Sequence, residues 1–251
     1  MSDLLSALLL FAAGLVAGTL NVIAGGGSLL TLPIMIFLGL PATVANGTNR
    51  VAILIQNVGA ASSFQRRRLI SGRWLKLAVP PALVGAVLGT LFAVRIGDMA
   101  FQRVLAIVLI GVTAYTLWRR TPEAGEGSAA PPTGGRAVLF AGLFFLVGVY
   151  GGFIQAGVGF VILAVTSAGG LDLVRGNAVK VTLVLAFTPL ALGLFAWSGK
   201  VDWTMGLALA AGNLLGGLAG VHLQVLKGHG WVRGVVTVTM IVFALRLLIA
   251  G

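Results

Sequence analysis

Long apolar segments, separated by short polar links, run through almost the whole chain. They lie at 4–23, 28–38, 43–65, 74–95 and 100–118 in the first half, and at 137–155, 159–169, 173–197, 203–226 and 231–250 in the second. A helix needs about 20 apolar residues to cross the roughly 30 Å hydrocarbon layer of a bilayer. The pattern therefore predicts an all-α, polytopic membrane protein.

The second helix of each half is too short to cross. Its roughly eleven residues rise only about 16 Å at 1.5 Å per residue. Each short helix follows a glycine-rich phrase, Ala24-Gly25-Gly26-Gly27-Ser28 in the first half and Ala156-Gly157-Val158-Gly159-Phe160 in the second. Broken backbone is tolerated at membrane depth only where protein buries it or where it lines a cavity. We expect two re-entrant hairpins with their breaks near the middle of the membrane.

The two halves resemble each other at a fixed spacing. Asn46 and Asn177 are 131 positions apart, and the glycine pairs Gly85/Gly89 and Gly216/Gly220 have the same spacing. This register predicts one membrane domain made of two repeats, 1–120 and 136–251, joined by a hydrophilic linker at 121–135. Each half has an odd number of crossings, so we expect inverted topology and a substrate cavity between the repeats.

Charge and composition narrow the class further. The chain is 58% hydrophobic and only 9% charged, which leaves too little polar surface for a soluble globule. The net charge of +11 comes from Lys and Arg in the short links, which argues against nucleic acid and for orientation in the membrane. Under the positive-inside rule, the basic run from Arg66 to Lys76 predicts a cytoplasmic loop, with both termini outside. The chain has no cysteine, and we expect neither a metal nor a cofactor.

Ionisable residues inside the predicted helices point to an anion. None of the six acidic residues falls in the middle of a helix, so no acidic residue is an obvious candidate for a cation site or a carboxylate proton relay. Arg50 and Lys180 lie a short way into the third helix of each half. Ionisable residues in the membrane are candidates for function, although side chains near a helix end also reach the interface and act as anchors. Both interpretations stay open.

Hydrogen-bond donors surround these two cations in the sequence. The candidate binding residues are Asn21, Gly25, Gly26, Gly27, Ser28, Asn46, Thr48, Asn49 and Arg50 in the first half, and Gln155, Gly157, Gly159, Asn177, Lys180 and Thr182 in the second. Helices that begin after the glycine breaks also offer unpaired N–H groups and the positive end of a dipole. The alternative is that Asn46 and Asn177 cap the third helices.

Three other polar residues have less specific interpretations. Gln56 and Asn57 fall mid-helix, where an amide needs a partner, and hydrogen bonding between helices is the favoured role over contact with substrate. His222 is expected to be a packed or hydrogen-bonded histidine, with a role in proton coupling as the alternative.

The glycine phrases carry a resemblance to a known family. The stretch from Asn21 to Pro33, followed by Gly39-Leu40-Pro41 and Ala45-Asn46-Gly47-Thr48-Asn49, resembles the first repeat of the TauE/SafE sulfite exporter family, and 148–160 resembles the second. The resemblance implies a multi-pass carrier in the bacterial inner membrane for a small anion such as sulfite or a sulfonate.

Two function classes other than an anion carrier are an anion channel and a membrane-embedded enzyme. An anion channel would share the same basic cavity, and single-channel current distinguishes it from a carrier. A membrane-embedded enzyme needs a nucleophile with a base or a set of metal ligands, and neither is apparent here.

Overall fold

The computed structural model describes residues 3–23, 25–118 and 130–227, and these residues form helices and short links without any strand. The helices are α1 (Asp3–Ile23), α2 (Ser28–Phe37), α3 (Ala42–Arg66), α4 (Gly72–Arg95), α5 (Asp98–Trp118), α6 (Gly135–Phe153), α7 (Val158–Ala168), α8 (Leu173–Trp197) and α9 (Trp203–Lys227). Every end lies within two residues of its predicted position. The predicted helix at 231–250 and linker residues 121–129 lie outside the described residues.

Five of the described helices are long and apolar enough to span a bilayer, namely α1, α4, α6, α8 and α9. The protein is therefore a multi-pass helical membrane protein, as the apolar pattern predicts. Helices α2 and α7 have only ten and eleven residues, which agrees with the prediction of one short helix per half. Helix α3 is 25 residues long but carries buried polar side chains, including Asn46, Asn49 and Arg50, because protein rather than lipid surrounds that face.

Glycines allow the outer helices to pack closely in pairs. Gly212 and Gly216 of α9 lie against the backbone of Phe11 and Leu15 in α1, and the residue numbers rise together along both helices, so the pair is parallel. The pair α4 and α6 is parallel for the same reason and is joined through Gly85, Gly89, Gly148 and Gly152. Small residues at such contacts let backbones approach closely in lipid.

The third helix of each half lies at the centre of the molecule. Helix α3 packs on α9 and α8, and helix α8 packs on α3 and α4. The contacts are reciprocal, since the first helix of each half pairs with the fourth helix of the other. This arrangement brings the ends of α1 and α6, where the glycine breaks begin, against α8 and α3.

Candidate functional site

The two glycine breaks meet in the interior. The first break lies between Ile23 and Ser28, and the second lies between Phe153 and Val158. Gly25 has φ +88°, a left-handed conformation that favours glycine, and a Cβ atom placed on it would lie 2.5 Å from the Cα of Gly159. Backbone therefore touches backbone at this crossing, and neither position has space for a side chain. The breaks predicted separately in each half form one structure.

Lys180 binds the carbonyl end of the first broken helix. Its Nζ donates to the carbonyl oxygens of Asn21 at 2.7 Å and Val22 at 2.8 Å, and also to Asn177 Oδ1. The last carbonyls of a helix have no partner within the helix and carry the negative end of its dipole. An ammonium at this place gives these carbonyls a donor and the dipole an opposite charge.

Arg50 does the same for the second broken helix. Its guanidinium donates to Gly151 O at 3.1 Å and to Gly152 O at 2.7 Å. Residues 50 and 180, 21 and 151, and 22 and 152 are each 130 positions apart, so the contacts correspond between the halves. Each third helix thus supplies a cation that holds the broken first helix of the other half.

The paired asparagines complete both helix ends. Asn46 Nδ2 donates to Phe153 O at 2.9 Å, and Asn177 Nδ2 donates to Ile23 O at 3.0 Å. The alternative that they cap the third helices is wrong, because α3 begins after Pro41 and α8 is capped by Asp172, whose carboxylate accepts from two backbone N–H groups. Both asparagines lie inside their helices and reach across to the opposite half.

The two cations differ in their surroundings. Arg50 is fully buried, its guanidinium lies 4.8 Å from the centre of the Phe195 ring, and Thr90 donates to the Gly152 carbonyl that it binds. Lys180 is 3% exposed and lines a small internal cavity beside the glycine breaks. Arg50 is therefore held on every side by protein, whereas Lys180 has one side towards open space.

This central cavity lies between α1, α3, α8 and the second break. Its polar lining consists of Asn21, Ser28, Asn57, Gln155, Gly159 and Lys180, and its apolar lining consists of Ile53, Val158, Val181 and Val184. Lys180 is the charged side chain of this lining, and no carboxylate contributes to it among the described residues. The cavity leaves about 10 Å³ for the centre of a water molecule. That is the space of roughly one water.

One amide at the cavity, Gln155, keeps unused hydrogen-bonding capacity. Gln155 Nε2 donates to Thr188 Oγ1 at 3.2 Å, but Gln155 Oε1 is buried without a partner in the described part of the chain. Asn21 Nδ2 donates to Gln56 Oε1 at 3.2 Å, which joins α1 to α3 and agrees with the interhelical role predicted for Gln56. A buried amide oxygen without a donor favours water or a ligand in the cavity.

Several predicted site residues lie outside the cavity lining because other contacts use their polar groups. Asn49 donates to Ser28 Oγ at 2.9 Å and accepts from Thr31 Oγ1 at 2.7 Å, which ties α3 to α2. Thr48 Oγ1 accepts from the backbone N–H of Asp202, and Thr182 Oγ1 donates to Ala178 O within its own helix. Arg50, Asn46 and Asn177 bind helix ends, as described above.

The glycines of the breaks shape the backbone. Gly27 precedes α2, and a Cβ atom on Gly26 would lie 2.7 Å from the Phe160 ring. Gly157 precedes α7 with φ 72°. Among the glycines of the predicted site, Gly159, in the first turn of α7, lines the cavity.

Asn57 is the one polar residue of the lining that the predicted site omits. It shares a face of α3 with Ile53, one helical turn earlier, and both line the cavity. Its position in mid-helix was the available signal, but the neighbouring Gln56 has the same signal and bonds to Asn21 instead. His222, by contrast, is exposed on α9 and lies outside the lining, so the expectation that it is packed was wrong.

A helical membrane protein with two broken helices that meet at a polar cavity is typical of secondary transporters. The chain belongs to the TauE/SafE family, since the family model described as "Sulfite exporter TauE/SafE" matches residues 10–247. It is similar to the probable membrane transporter protein ORF9 of Sinorhizobium sp, with 31% identity across 99% of this chain and 95% of the relative.

Two other relatives have transporter names. The probable membrane transporter protein YfcA of Escherichia coli K12 is 30% identical across 99% of this chain and 91% of its own length. A probable membrane transporter protein of Haemophilus influenzae is 28% identical across 94% of this chain and 91% of its own length. No solved structure matches the chain.

Proposed function

We propose that this protein is a secondary transporter that exports a small sulfur-containing anion, sulfite or a sulfonate, across the bacterial inner membrane by alternating access. The observation that carries the proposal is the lining of the central cavity, in which Lys180 supplies positive charge beside Asn21, Asn57 and Gln155 and no described residue supplies a carboxylate. The positive charge of the ammonium attracts an oxyanion, and the neighbouring amides donate neutral hydrogen bonds to it. A carboxylate at the same place would repel it.

The helix starts at the two breaks add to this preference. Ser28 begins α2 and Val158 begins α7, and both residues line the cavity. The first turn of a helix carries the positive end of its dipole, which suits an anion. In transporters with broken helices, half-helix N-termini point at anionic groups of the substrate. We assign substrate contact to Lys180, Asn21, Ser28, Asn57 and Gln155.

The remaining residues of the predicted site maintain the shape of the cavity. Arg50, Asn46 and Asn177 hold the broken helix ends, and the glycines at 25–27, 157 and 159 let the breaks approach. Thr48, Asn49 and Thr182 fix the positions of the helices around the cavity. A change at any of these residues acts on the substrate through the shape of the cavity.

The directions of the helices support inverted repeats. Helix α9 is parallel to α3, because Thr48 contacts Asp202 and Gly59 contacts Leu214 further along both helices. Helix α4 follows α3 after a link of only five residues, 67–71, and so returns across the membrane in the opposite direction. Helices α4 and α9 are the fourth helices of the two halves, and opposite directions for them are what inversion requires.

The small size of the cavity favours a carrier over an anion channel. Space for about one water does not admit a sulfur oxyanion, so the halves must move apart to load it on either side. Rocking of one repeat against the other would open the cavity to each side in turn. An inside-negative potential favours anion export by about 2.3 kcal/mol per charge per 100 mV, so no ATP is required.

Flux into proteoliposomes tests the proposal. The parent and Lys180→Ala are reconstituted in sodium-free choline medium, and uptake of radiolabelled sulfite or sulfoacetate is compared with that of acetate, a carboxylate without sulfur. Losing the positive charge beside the cavity should lower the initial rate at least about tenfold, equivalent to about 1.4 kcal/mol. Lys200→Ala is the matched control, because Lys200 also donates to a helix-end carbonyl, Val94 O, but lies outside the lining.

The two possible failures are distinct. Parent protein that moves none of the sulfur anions would remove the proposed function. Parent protein that moves one of them at the same rate as Lys180→Ala would leave the function and remove the site. If planar-bilayer recording of the parent shows unitary currents, the protein is a channel and not a carrier.

A further inference from the structure

We propose that the ammonium group of Lys180 occupies a monovalent-cation site, and that the protein therefore works without a coupling sodium ion. The site consists of three oxygens, which are Asn21 O and Val22 O at 2.7 and 2.8 Å from Nζ, and Asn177 Oδ1. All three are uncharged acceptors that converge on one point. Carbonyl oxygens coordinate K⁺ in channel filters and Na⁺ in transporters with broken helices.

The position of this oxygen cluster supports the inference. In transporters with broken helices, the carbonyls at the C-terminal end of a half-helix coordinate the coupling cation, and the negative end of the helix dipole adds to the attraction. Asn21 and Val22 are in the last turn of α1, immediately before the first glycine break. The chain places its own cation where an ion from solution would otherwise bind.

The second half has the same arrangement. Arg50 donates to Gly151 O and Gly152 O in the last turn of α6, before the second break. Both helix ends that could recruit a cation are therefore filled by side chains of the third helices. A dissolved ion would have to displace a covalently attached charge of the same sign.

The acidic residues support this conclusion. The described carboxylates lie at helix starts, where Asp98 accepts from Thr43 N, Asp172 from Val174 N, and Asp202 from Met205 N. None of them lines the central cavity. An additional cation beside Lys180 would lack a counter-charge in the membrane interior, which is costly.

The test removes the attached cation and asks whether a dissolved one replaces it. Full-length parent and Lys180→Ala are purified in detergent, and their melting temperatures are measured in NaCl, KCl and choline chloride at equal concentrations. We expect the same melting temperature for the parent in all three salts. Lys180→Ala should melt lower in choline, and Na⁺ or K⁺ should raise its melting temperature saturably by about 3 °C, since a ligand of the folded state stabilises it.

Two further variants act as controls. Lys180→Met is also neutral, but its side chain fills the space next to the carbonyls, so we expect no response to Na⁺ or K⁺. Lys200→Ala removes a lysine that binds a single carbonyl, and it should not respond either. A response limited to Lys180→Ala assigns the ion to the vacated oxygens rather than to general salt effects.

The proposal is overturned if Lys180→Ala melts at the same temperature in sodium and choline, or if sodium stabilises the parent as much as the variant. If Lys180→Ala is recovered only in sodium or potassium, that recovery supports the proposal. If Lys180→Ala is recovered in no salt, Lys180→Arg is measured instead. Its guanidinium keeps a positive charge attached to the chain, so this variant should fold equally well in all three salts. A sodium requirement of Lys180→Arg would contradict the proposal. None of these readings depends on the identity of the anion.

Discussion

Lys180 of α8 and Asn21 of α1 are joined by a 2.7 Å hydrogen bond from the ammonium to the backbone carbonyl, and both residues line the central cavity. One cation therefore both closes the end of a broken helix and supplies positive charge to the candidate site. Arg50 also closes the end of a broken helix, but it does not line the cavity. The halves are alike in their framework but differ in what they offer a ligand.

The crossing of the two breaks should not tolerate a side chain. Gly159→Ala would press a methyl group into the Gly25 backbone, and overpacking of this kind costs about 1–3 kcal/mol. We expect its melting temperature in detergent to fall by about 5 °C and its flux to be lost. Gly142→Ala is the control, since a Cβ atom there meets open space; an equal fall in that variant would show that helix glycines in general, and not the crossing, are sensitive.

Gln155 is expected to affect binding more than folding. Its side-chain oxygen has no partner in the described part of the chain, so Gln155→Leu removes few existing bonds but takes a polar group from the cavity. The apparent affinity for the transported anion should fall about tenfold, equivalent to about 1.4 kcal/mol, with little change in melting temperature. The measurement is the concentration dependence of initial flux. Unchanged affinity would place Gln155 outside the site.

Arg50 is expected to affect folding more than binding. Lysine cannot reproduce the two parallel contacts of the guanidinium with Gly151 and Gly152 or its stacking on Phe195. Arg50→Lys should therefore lower stability by about 1–2 kcal/mol while flux per folded molecule stays near that of the parent. Arg103→Lys, at an exposed position, is the control. Loss of flux at unchanged stability would move Arg50 into the binding site.

Asn49 should stabilise the short helix α2. It bonds to both Ser28 and Thr31, and interhelical hydrogen bonds in membranes are worth about 0.6 kcal/mol each on average. Asn49→Ala should lower the free energy of unfolding by about 1 kcal/mol, as followed by thermal melting. Ser62→Ala, which removes an exposed hydroxyl bonded within its own helix, should change it little. Equal effects would show that the link to α2 contributes nothing.

Much of the fold was predictable from local features. The lengths of the apolar runs identify membrane helices, because a bilayer has a fixed thickness, and the glycine phrases mark where helices break. Helix bonds join residues four positions apart, so the positions of helix ends are a local property, and the predicted ends agree with the structure to within two residues.

The assignment of polar residues was much less predictable. The pattern within α3 does not distinguish Asn49, which bonds to α2, from Asn57, which lines the cavity, because the difference is the direction in which each faces its neighbours. Gln56 and Asn57 are adjacent and chemically alike, yet one bonds to α1 and the other faces open space. Periodicity alone cannot separate them without knowledge of which helix packs on which face.

The sequence by itself determined the class of protein, the helices and the two breaks, since hydrophobic length and glycine act over a few residues. Only the tertiary structure decided which partners the cations meet. Lys180 contacts carbonyls more than 150 positions earlier in the chain, and Arg50 contacts carbonyls about 100 positions later. Contacts at such separations depend on how whole helices pack, and that packing places one cation at the cavity and encloses the other in protein.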